Sequence, residues 1–440
     1  MKRASIRSLC LCWAALLALS LPLPAQAETH TMTLDQAVER GLEENRDIAI
    51  ARERLAEIKG IKGEARAQGL PQLTGVGLYQ RMWRKPQVVL GNVAVRMGAN
   101  NTVQAGVEFD QLLWDGGRVI KAVRAARTEE ARGIENIRDA EAQVRYQVKE
   151  TFYSILYTDK MIAVLNRQLG TLRQHLGAIR TRFSQGVDSD YALLRQQVEV
   201  SNIEPQLIDA KRNRELLVNG MKVILAIPQE DDFEPSGSFD YRAQAVPHIE
   251  DLMERARLAR PDLMAEKLRV KSLEQGVGVE RAAYWPQLNF NTTFQWQGLS
   301  DDWRIGGNER NDSLSSAVNL SWPIFDGLKT HSRVQQAKAR LYQQQWMTSK
   351  FEDTVLKEVR DDYEILKRAQ EMLRSQQQSL ALARKATAIA GERFEAGLMS
   401  QIELNDTITA QAQAEQQFLQ ASVECLVSEA ALEKAVGGEL

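Results

Sequence analysis

Two copies of one short motif lie far apart in this chain. Residues 182–189 read RFSQGVDS, and residues 393–400 read RFEAGLMS. Both copies keep Arg-Phe, a Gly three residues after the Phe, and a Ser three residues after the Gly. Gly accepts the left-handed conformation that ends many helices, and Ser is a favoured N-cap of the next helix. Each copy therefore predicts a tight turn between two helices, and we call 182–189 the first tip and 393–400 the second tip.

Other motifs repeat at a similar distance. Pro71–Leu73 recurs at 286–288 with an offset of 215 residues, and Trp114–Gly116 recurs as Phe325–Gly327 with an offset of 211. The tips also have an offset of 211, so one segment between these marks is four residues shorter in the second half. A length difference confined to one place indicates two copies of one structural unit with a variable loop.

The N-terminal residues 1–27 are typical of a secretory signal peptide. Three basic residues precede an apolar stretch at 9–21, and Ala25–Ala27 form a cleavage site. Cleavage leaves 53 basic and 58 acidic side chains, a net charge of −5, with no basic block for nucleic acid. Cys425 is the only Cys after the cleavage point, so no intramolecular disulfide is expected.

Four stretches alternate between apolar and polar residues, as strands do. The clearest is 288–296, where Leu, Phe, Thr, Phe and Trp alternate with Asn, Asn, Thr and Gln. The others are 314–322, 103–110 and, less regularly, 73–82. Each stretch has about 10 residues, the length of a tilted membrane strand, and aromatics lie near the ends. The alternative is an ordinary half-buried sheet in a soluble domain.

The remaining sequence is mostly helical in pattern, and two predicted helices are very long. Segments 117–184 and 328–395 contain no Pro, and apolar residues from Ile162 to Phe183 step by three and four as in a coiled-coil seam. Each helix would be on the order of 100 Å long at 1.5 Å per residue. Several seam positions of the second copy are small or polar, which predicts a looser or wetter seam or different neighbours: Gln376, Ala383, Thr387 and Ala390.

Each copy thus reads helix, strand, loop, strand, very long helix, tip, helix. The fold class is mostly α with a small β part. The first predicted repeat covers 28–226, with a strand pair at 70–112, a long helix at 117–184 and the turn of the first tip at 185–189. A non-helical linker follows at 227–248. The second predicted repeat covers 249–440, with a strand pair at 286–322, a long helix at 328–395 and the turn of the second tip at 396–400. Residues 91–102 and 298–312 are expected to be hairpin loops. Since a closed membrane barrel needs at least ~8 strands, four strands per chain predict an oligomer if the sheet enters a membrane.

The signal peptide, duplicated halves, paired strands, heptad helices and Gly-x-x-Ser tips together resemble the TolC-like outer-membrane factor family (outer membrane efflux proteins). The resemblance covers essentially the whole mature chain. It implies a homotrimer with a twelve-stranded outer-membrane β-barrel that continues into a periplasmic α-helical coiled-coil tunnel. It also implies an exit duct for a tripartite efflux pump or a type I secretion system, with an inner-membrane transporter and a periplasmic adaptor as partners. The tip residues expected to contact the adaptor are Arg182, Gly186, Ser189, Arg393, Gly397 and Ser400.

The same resemblance implies an acidic constriction at the periplasmic end of the pore. The matching residues are Glu403 and Asp406, which are three apart and therefore share one helix face. Three-fold symmetry would stack them into rings that favour cations, whereas a solvated helix face is the alternative. The chain departs from the family pattern at Met399 and Ala192, where the pair that latches the closed tip is expected. Closure would then rest on packing, or the resting pore would be leakier.

The sequence offers little for enzyme chemistry. The four His residues are scattered without metal-ligand spacing, and Cys425 lacks the context of a nucleophile. We therefore expect no enzyme activity, no metal site, no cofactor and no nucleic-acid partner. The rival interpretation is a periplasmic coiled-coil adaptor or structural scaffold with a small soluble sheet.

Overall fold

A computed structural model describes residues 29–238, 241, 246–302 and 309–440. The predicted signal peptide lies outside the described residues. Eight helices in the described part are α1 (Leu34–Glu44), α2 (Arg46–Ala67), α3 (Arg118–Ser184), α4 (Asp190–Ile224), α5 (Ile249–Ala259), α6 (Pro261–Arg281), α7 (Lys329–Glu395) and α8 (Gln401–Val436). The two longest, α3 and α7, have 67 residues each. Among the described residues, no helix combines the length and apolar composition needed to cross a bilayer.

Four long strands form one antiparallel sheet in the order β2 (Gln72–Arg81), β5 (Asn101–Trp114), β7 (Gln287–Ser300) and β8 (Glu309–Ser321). The strands of the two sequence halves meet at the β5–β7 pair, where Val107 lies opposite Phe294. Strands β7 and β8 extend into the segment that was expected to be the loop 298–312. That part of the loop prediction was wrong, because the ladder continues through polar residues such as Asn311, opposite Gln297.

The expected loop 91–102 also holds regular structure. Strands β3 (Gln87–Leu90) and β4 (Val93–Arg96) form a two-stranded hairpin. Gly91 has a φ of +67°, which a two-residue hairpin turn requires at its first position. The Gly-Asn dipeptide at 91–92 is a known hairpin signal that the sequence analysis missed.

The predicted non-helical linker contains a short strand. Strand β6 (Asp232–Pro235) pairs in parallel with β1 (Thr29–Met32), a strand at the start of the described chain. Each strand has four residues, too few for a periodic signal, and the two are about 200 residues apart in sequence. Residues 239–240 and 242–245 of the linker lie outside the described part.

The chain divides into two compact units. The first contains residues 1–46, 144–244 and 366–430, and the second contains 47–143, 245–365 and 431–440. Each unit draws segments from both sequence repeats, so the predicted division into repeats stays a prediction.

The first unit has a core in each helical hairpin. In the first repeat, the predicted seam residues Leu165, Leu169 and Leu172 are buried and cluster with three apolar residues of α4: Val200, Ile203 and Leu207. In the second repeat, a cluster of smaller side chains joins α7 to α8: Ala369, Leu373, Ala421 and Cys425. The seam therefore contains smaller residues in the second copy, because two of its α8 positions are Ala and Cys.

The second unit combines the four-stranded sheet with helices α2, α5 and α6 and with parts of the longer helices. Its fully buried side chains come from several elements: Leu252, Leu263, Val355, Val359 and Leu432. Gly116 has a φ of +70° and lies so close to Trp285 that a β-carbon would be 2.7 Å from its Cβ. This explains why the Asp-Gly motif follows β5, where the chain turns closely into α3.

Candidate functional site

The four-stranded sheet has two chemically different faces, because successive side chains of a strand point to opposite sides. One face is apolar and open, since Leu73, Leu314 and Val318 are 72%, 71% and 61% exposed. The cross-strand register places them on the same face as Phe290 and Phe294 of β7. An exposed apolar face of this extent marks a surface that contacts another protein or a membrane.

The opposite face is polar. In successive ladder positions, Gln72 lies opposite Asp110, and Asp110 lies opposite Asn291. The Asn319 side chain donates from Nδ2 a hydrogen bond of 3.0 Å to the side-chain oxygen Oδ1 of Asn291. A cavity of about 710 Å³ adjoins this face and is lined largely by amide, hydroxyl and carboxyl groups. Water and hydrated solutes are therefore compatible with this face.

The two tips have the same backbone geometry. Gly186 and Gly397 have φ values of +75° and +71°. Val187 N–H donates to the Arg182 carbonyl at 2.9 Å, and Leu398 N–H donates to the Arg393 carbonyl at 2.8 Å. Together with the bonds from the Gly N–H groups to the carbonyls of Phe183 and Phe394, these form a Schellman motif in each copy.

Apolar side chains are exposed around both tips, which the sequence analysis did not single out. In the first hairpin Val187, Tyr191 and Leu194 are 63%, 67% and 54% exposed, and in the second hairpin Leu398 and Ile402 are 76% and 44% exposed. The predicted contact residue Arg182 instead pairs with Asp188 of its own tip at 3.2 Å. The apolar residues next to the motif residues are thus exposed to solvent in this structure, while the Gly and Ser residues shape the turns.

Glu403 and Asp406 both lie exposed on α8 just after the second tip. Ser400 N–H and Oγ–H each donate to Glu403 Oε2 at 2.9 Å, and Glu403 N–H donates to Ser400 Oγ at 3.3 Å. This is a capping box at the start of α8, and the backbone hydrogen bond from Ser400 holds the pKa of Glu403 below its ordinary value. Glu403 is therefore a capping residue whether or not it also lines a pore.

A polar connection joins the two hairpins near the tips. Gln196 on α4 is only 2% exposed and donates from Nε2 to the Leu172 carbonyl at 2.9 Å. The Asn405 amide on α8 donates to Gln196 Oε1 at 2.6 Å. Neither residue was predictable from periodicity, because a single buried Gln produces the same sequence pattern as a solvated one.

The matching family model is the outer membrane efflux protein family, which covers residues 37–225 and 252–438. The chain belongs to this family. The two matched ranges coincide with the two halves of the sequence.

Individual family members are similar at low identity. The outer membrane protein OprJ of Pseudomonas aeruginosa is 22% identical over 92% of this chain and 84% of its own length. The outer membrane efflux protein BepC of Brucella suis is 22% identical over 76% of this chain and 72% of its own length.

The fold matches a solved outer membrane channel. The CmeC channel of Campylobacter jejuni superimposes with a TM-score of 0.79 at 18% identity, covering 94% of this chain and 90% of that chain.

Family membership confirms the predicted fold class, outer-membrane location and efflux function. The chain is an outer-membrane efflux protein with a large helical part and a small sheet, and the rival interpretation as an adaptor or scaffold finds no support. The assignments of Glu403, Asp406 and the tip residues are not tested by these comparisons. They stay predictions about individual side chains.

Proposed function

We propose that this chain assembles as a homotrimer and forms the exit duct of a tripartite efflux pump. The observation that supports this most directly is the sheet, which combines an apolar face with two long edges that pair with no other strand in the described part of the chain. Its order makes β2 and β8 the edge strands, and their exposed residues include Leu73 and Leu320. Long apolar edges with unpaired backbone groups require pairing with another chain.

The strand directions permit such pairing between copies. Each neighbour in the β2-β5-β7-β8 order is antiparallel, so β2 and β8 run in opposite directions. A copy rotated about an axis along the strands would place its β2 antiparallel to β8 of the first copy. Repeating this rotation closes a β-barrel without any edge.

The number of copies decides whether the barrel has a lumen. Two copies give a barrel of about eight strands, whose interior is just wide enough for side chains. Three copies give about twelve strands and leave room for a duct lined by the polar face. The amide-rich lining around Asn291 and Asn319 supports this orientation of the sheet.

The tips would bind a periplasmic adaptor, and an inner-membrane transporter would supply the energy. The exposed residues Val187, Tyr191, Leu398 and Ile402 offer apolar contacts next to well-formed turns. A relative in Pseudomonas putida is named as a solvent efflux pump outer membrane protein, which favours an efflux pump over type I secretion. Glu403 and Asp406 would form acidic rings at the entrance.

Single-channel recording in a planar bilayer tests the duct and the rings together. The mature protein, purified in detergent, should have the mass of a trimer and give cation-selective conductance in KCl. Glu403→Gln keeps a capping side chain but removes its charge, and Asp406→Asn removes the second charge. Both variants should reduce cation selectivity, whereas Glu371→Gln on the exposed face of α7 should not.

The result also separates the two parts of the proposal. A trimer with unchanged selectivity in both variants would remove Glu403 and Asp406 from the pore. A monomer that needs no detergent would overturn the duct itself.

A further inference from the structure

A groove between α3, α7 and α8 in the first compact unit has no role in the proposed duct. Its volume is about 540 Å³, within the usual range of small-molecule sites. All three helices contribute both polar and apolar side chains to its wall. We call it the interhelical groove.

The charges on its wall do not balance. Arg167 Nη2 lies 2.8 Å from Glu415 Oε1, and Arg384 Nη2 lies 3.7 Å from the same oxygen. Two guanidinium groups thus share one carboxylate. The fourth ionisable group on the wall is His175, and burial lowers its pKa, which favours the neutral imidazole. One positive charge is therefore in excess, and Arg384 is the more weakly paired of the two Arg residues.

Gln168 is a polar side chain on the wall of the groove. It lies on α3, and most of its surface is covered by neighbouring residues. Its amide atoms are not among the buried, unsatisfied polar atoms of the described residues, so water reaches them through the groove. The amide can therefore hydrogen-bond water or a molecule that binds there.

Part of the wall is apolar. Phe394, Leu404 and Ile408 line it, and the ring of Phe394 meets the His175 ring edge-on with centroids 6.4 Å apart. Gly391 lies on the wall in the interior of α7, and a β-carbon there would meet no atom within 4 Å. A Gly inside a helix costs about 1 kcal/mol relative to Ala, and here it leaves the groove open.

We propose that the interhelical groove binds a small amphipathic organic anion. Its carboxylate or sulfonate group would accept hydrogen bonds from Arg384 and Gln168, and its apolar body would lie against Phe394, Leu404 and Ile408. The single excess positive charge fits one anionic group, and the volume fits a body of one or two rings. This site goes beyond the export role, because neither the duct nor the tips require it.

The probe for the test is 6-fluoro-2-naphthoate, and its neutral counterpart is the corresponding naphthyl methanol. Binding to the full mature protein in detergent is measured by ¹⁹F NMR titration. Gly391→Leu should fill the groove and abolish binding of the naphthoate. Gly177→Leu is the matched control, since Gly177 also lies inside a long helix of the same unit with no atom within 4 Å and does not line the groove. Leu is a better helix former than Gly, so both variants should fold.

Two charge variants should shift the affinity in opposite directions. Arg384→Gln should weaken naphthoate binding roughly five- to tenfold, because it removes a charged hydrogen-bond donor. Glu415→Gln should strengthen it, because both guanidinium groups then lose their competing carboxylate. Equal binding of naphthoate to the wild type and Gly391→Leu would reveal partition into detergent alone and overturn the proposal. Equal affinity for the neutral alcohol would also overturn it.

Discussion

The same kind of contact between a short helix and a returning helix forms twice, through Asn45 in one place and Arg260 in the other. Asn45 follows α1, is 5% exposed and donates from Nδ2 to the Ile224 carbonyl at 2.8 Å. Arg260 follows α5, is 6% exposed and donates from Nη1 to the Ala435 carbonyl at 3.3 Å. The two acceptors are 211 residues apart, the same offset as the tips. Each side chain thus satisfies a carbonyl near the C-terminal end of a returning helix.

Arg260 forms ion pairs with two carboxylates. Arg260 pairs with Asp262 at 2.9 Å and with Glu358 at 2.7 Å. The charge of Arg260 also acts on the pKa of Asp362, which lies on α7. Burial and the neighbouring Glu358 raise the pKa of Asp362 to about 6, against the opposing effects of Arg260 and Lys434.

Asp362 should make stability depend on pH. Its folded pKa lies above its ordinary value of 3.8, so the folded state binds more protons between about pH 4 and 6. Stability should therefore fall as pH rises through this window, by on the order of 2 kcal/mol per copy. Asp362→Asn should raise the midpoint of thermal unfolding at pH 7.5 and leave it nearly unchanged at pH 4. Asp353→Asn, at an exposed carboxylate elsewhere on α7, is the control, and an equal effect of both variants would contradict the assignment.

At the scale of elements, the tips are turns whose geometry depends on one residue each. Gly397 has a φ of +71°, and no atom lies within 4 Å of a β-carbon built there. The barrier to substitution is therefore the backbone conformation and not the available space.

Gly397→Val should lower the midpoint of thermal unfolding, since left-handed φ costs an L-residue roughly 1–2 kcal/mol and a β-branched residue more. Gly397→Asn should stay close to the wild type, because Asn tolerates this conformation. Proteolysis at the second tip measures the local effect. If the Val and Asn variants have the same unfolding midpoint and the same rate of proteolysis, the turn does not depend on left-handed φ.

The bond between Gln196 and Asn405 connects the α3–α4 hairpin to the α7–α8 hairpin. We propose that this bond holds the two tips together in the resting state, in place of the pair that was expected at Met399 and Ala192. Asn405 also accepts a hydrogen bond from the Gln401 amide at 3.1 Å, so its side chain is held from two sides.

Asn405→Leu should loosen the tips, because it leaves the buried Gln196 Oε1 without a donor at a cost of about 1–3 kcal/mol. The expected result is a larger single-channel conductance in the planar bilayer. Gln401→Ala is the matched control, since it removes the neighbouring bond and leaves the Gln196–Asn405 bond in place. Unchanged conductance in Asn405→Leu would show that packing alone keeps the tips together.

At the scale of the whole molecule, the two faces of the sheet should respond differently to charge. Leu314 lies on the apolar face of β8 near the middle of the strand, and Ser315 lies on the polar face next to it. Leu314→Arg should prevent stable insertion, because an Arg facing lipid near the bilayer centre costs roughly 2–4 kcal/mol per copy. Ser315→Arg should insert normally. The fraction of heat-modifiable protein in the outer-membrane fraction measures both, and equal insertion would contradict the assigned faces.

The long helices and the four long strands were predictable because each follows a local or periodic signal. The seam from Ile162 to Phe183 follows one helix face, and the Gly residues of the tips have one conformational reason to be there. The β1–β6 pair was not predictable, since four-residue strands about 200 residues apart carry no such pattern.

The sequence by itself determined the order of elements and the alternation of the sheet, because both depend on neighbours along the chain. Only the tertiary structure decided which side chains meet across the chain. The Gln196–Asn405 bond and the carboxylates around Arg260 join residues from distant segments. Polar contacts of this kind depend on distance and burial in three dimensions, which the pattern of a single helix does not encode.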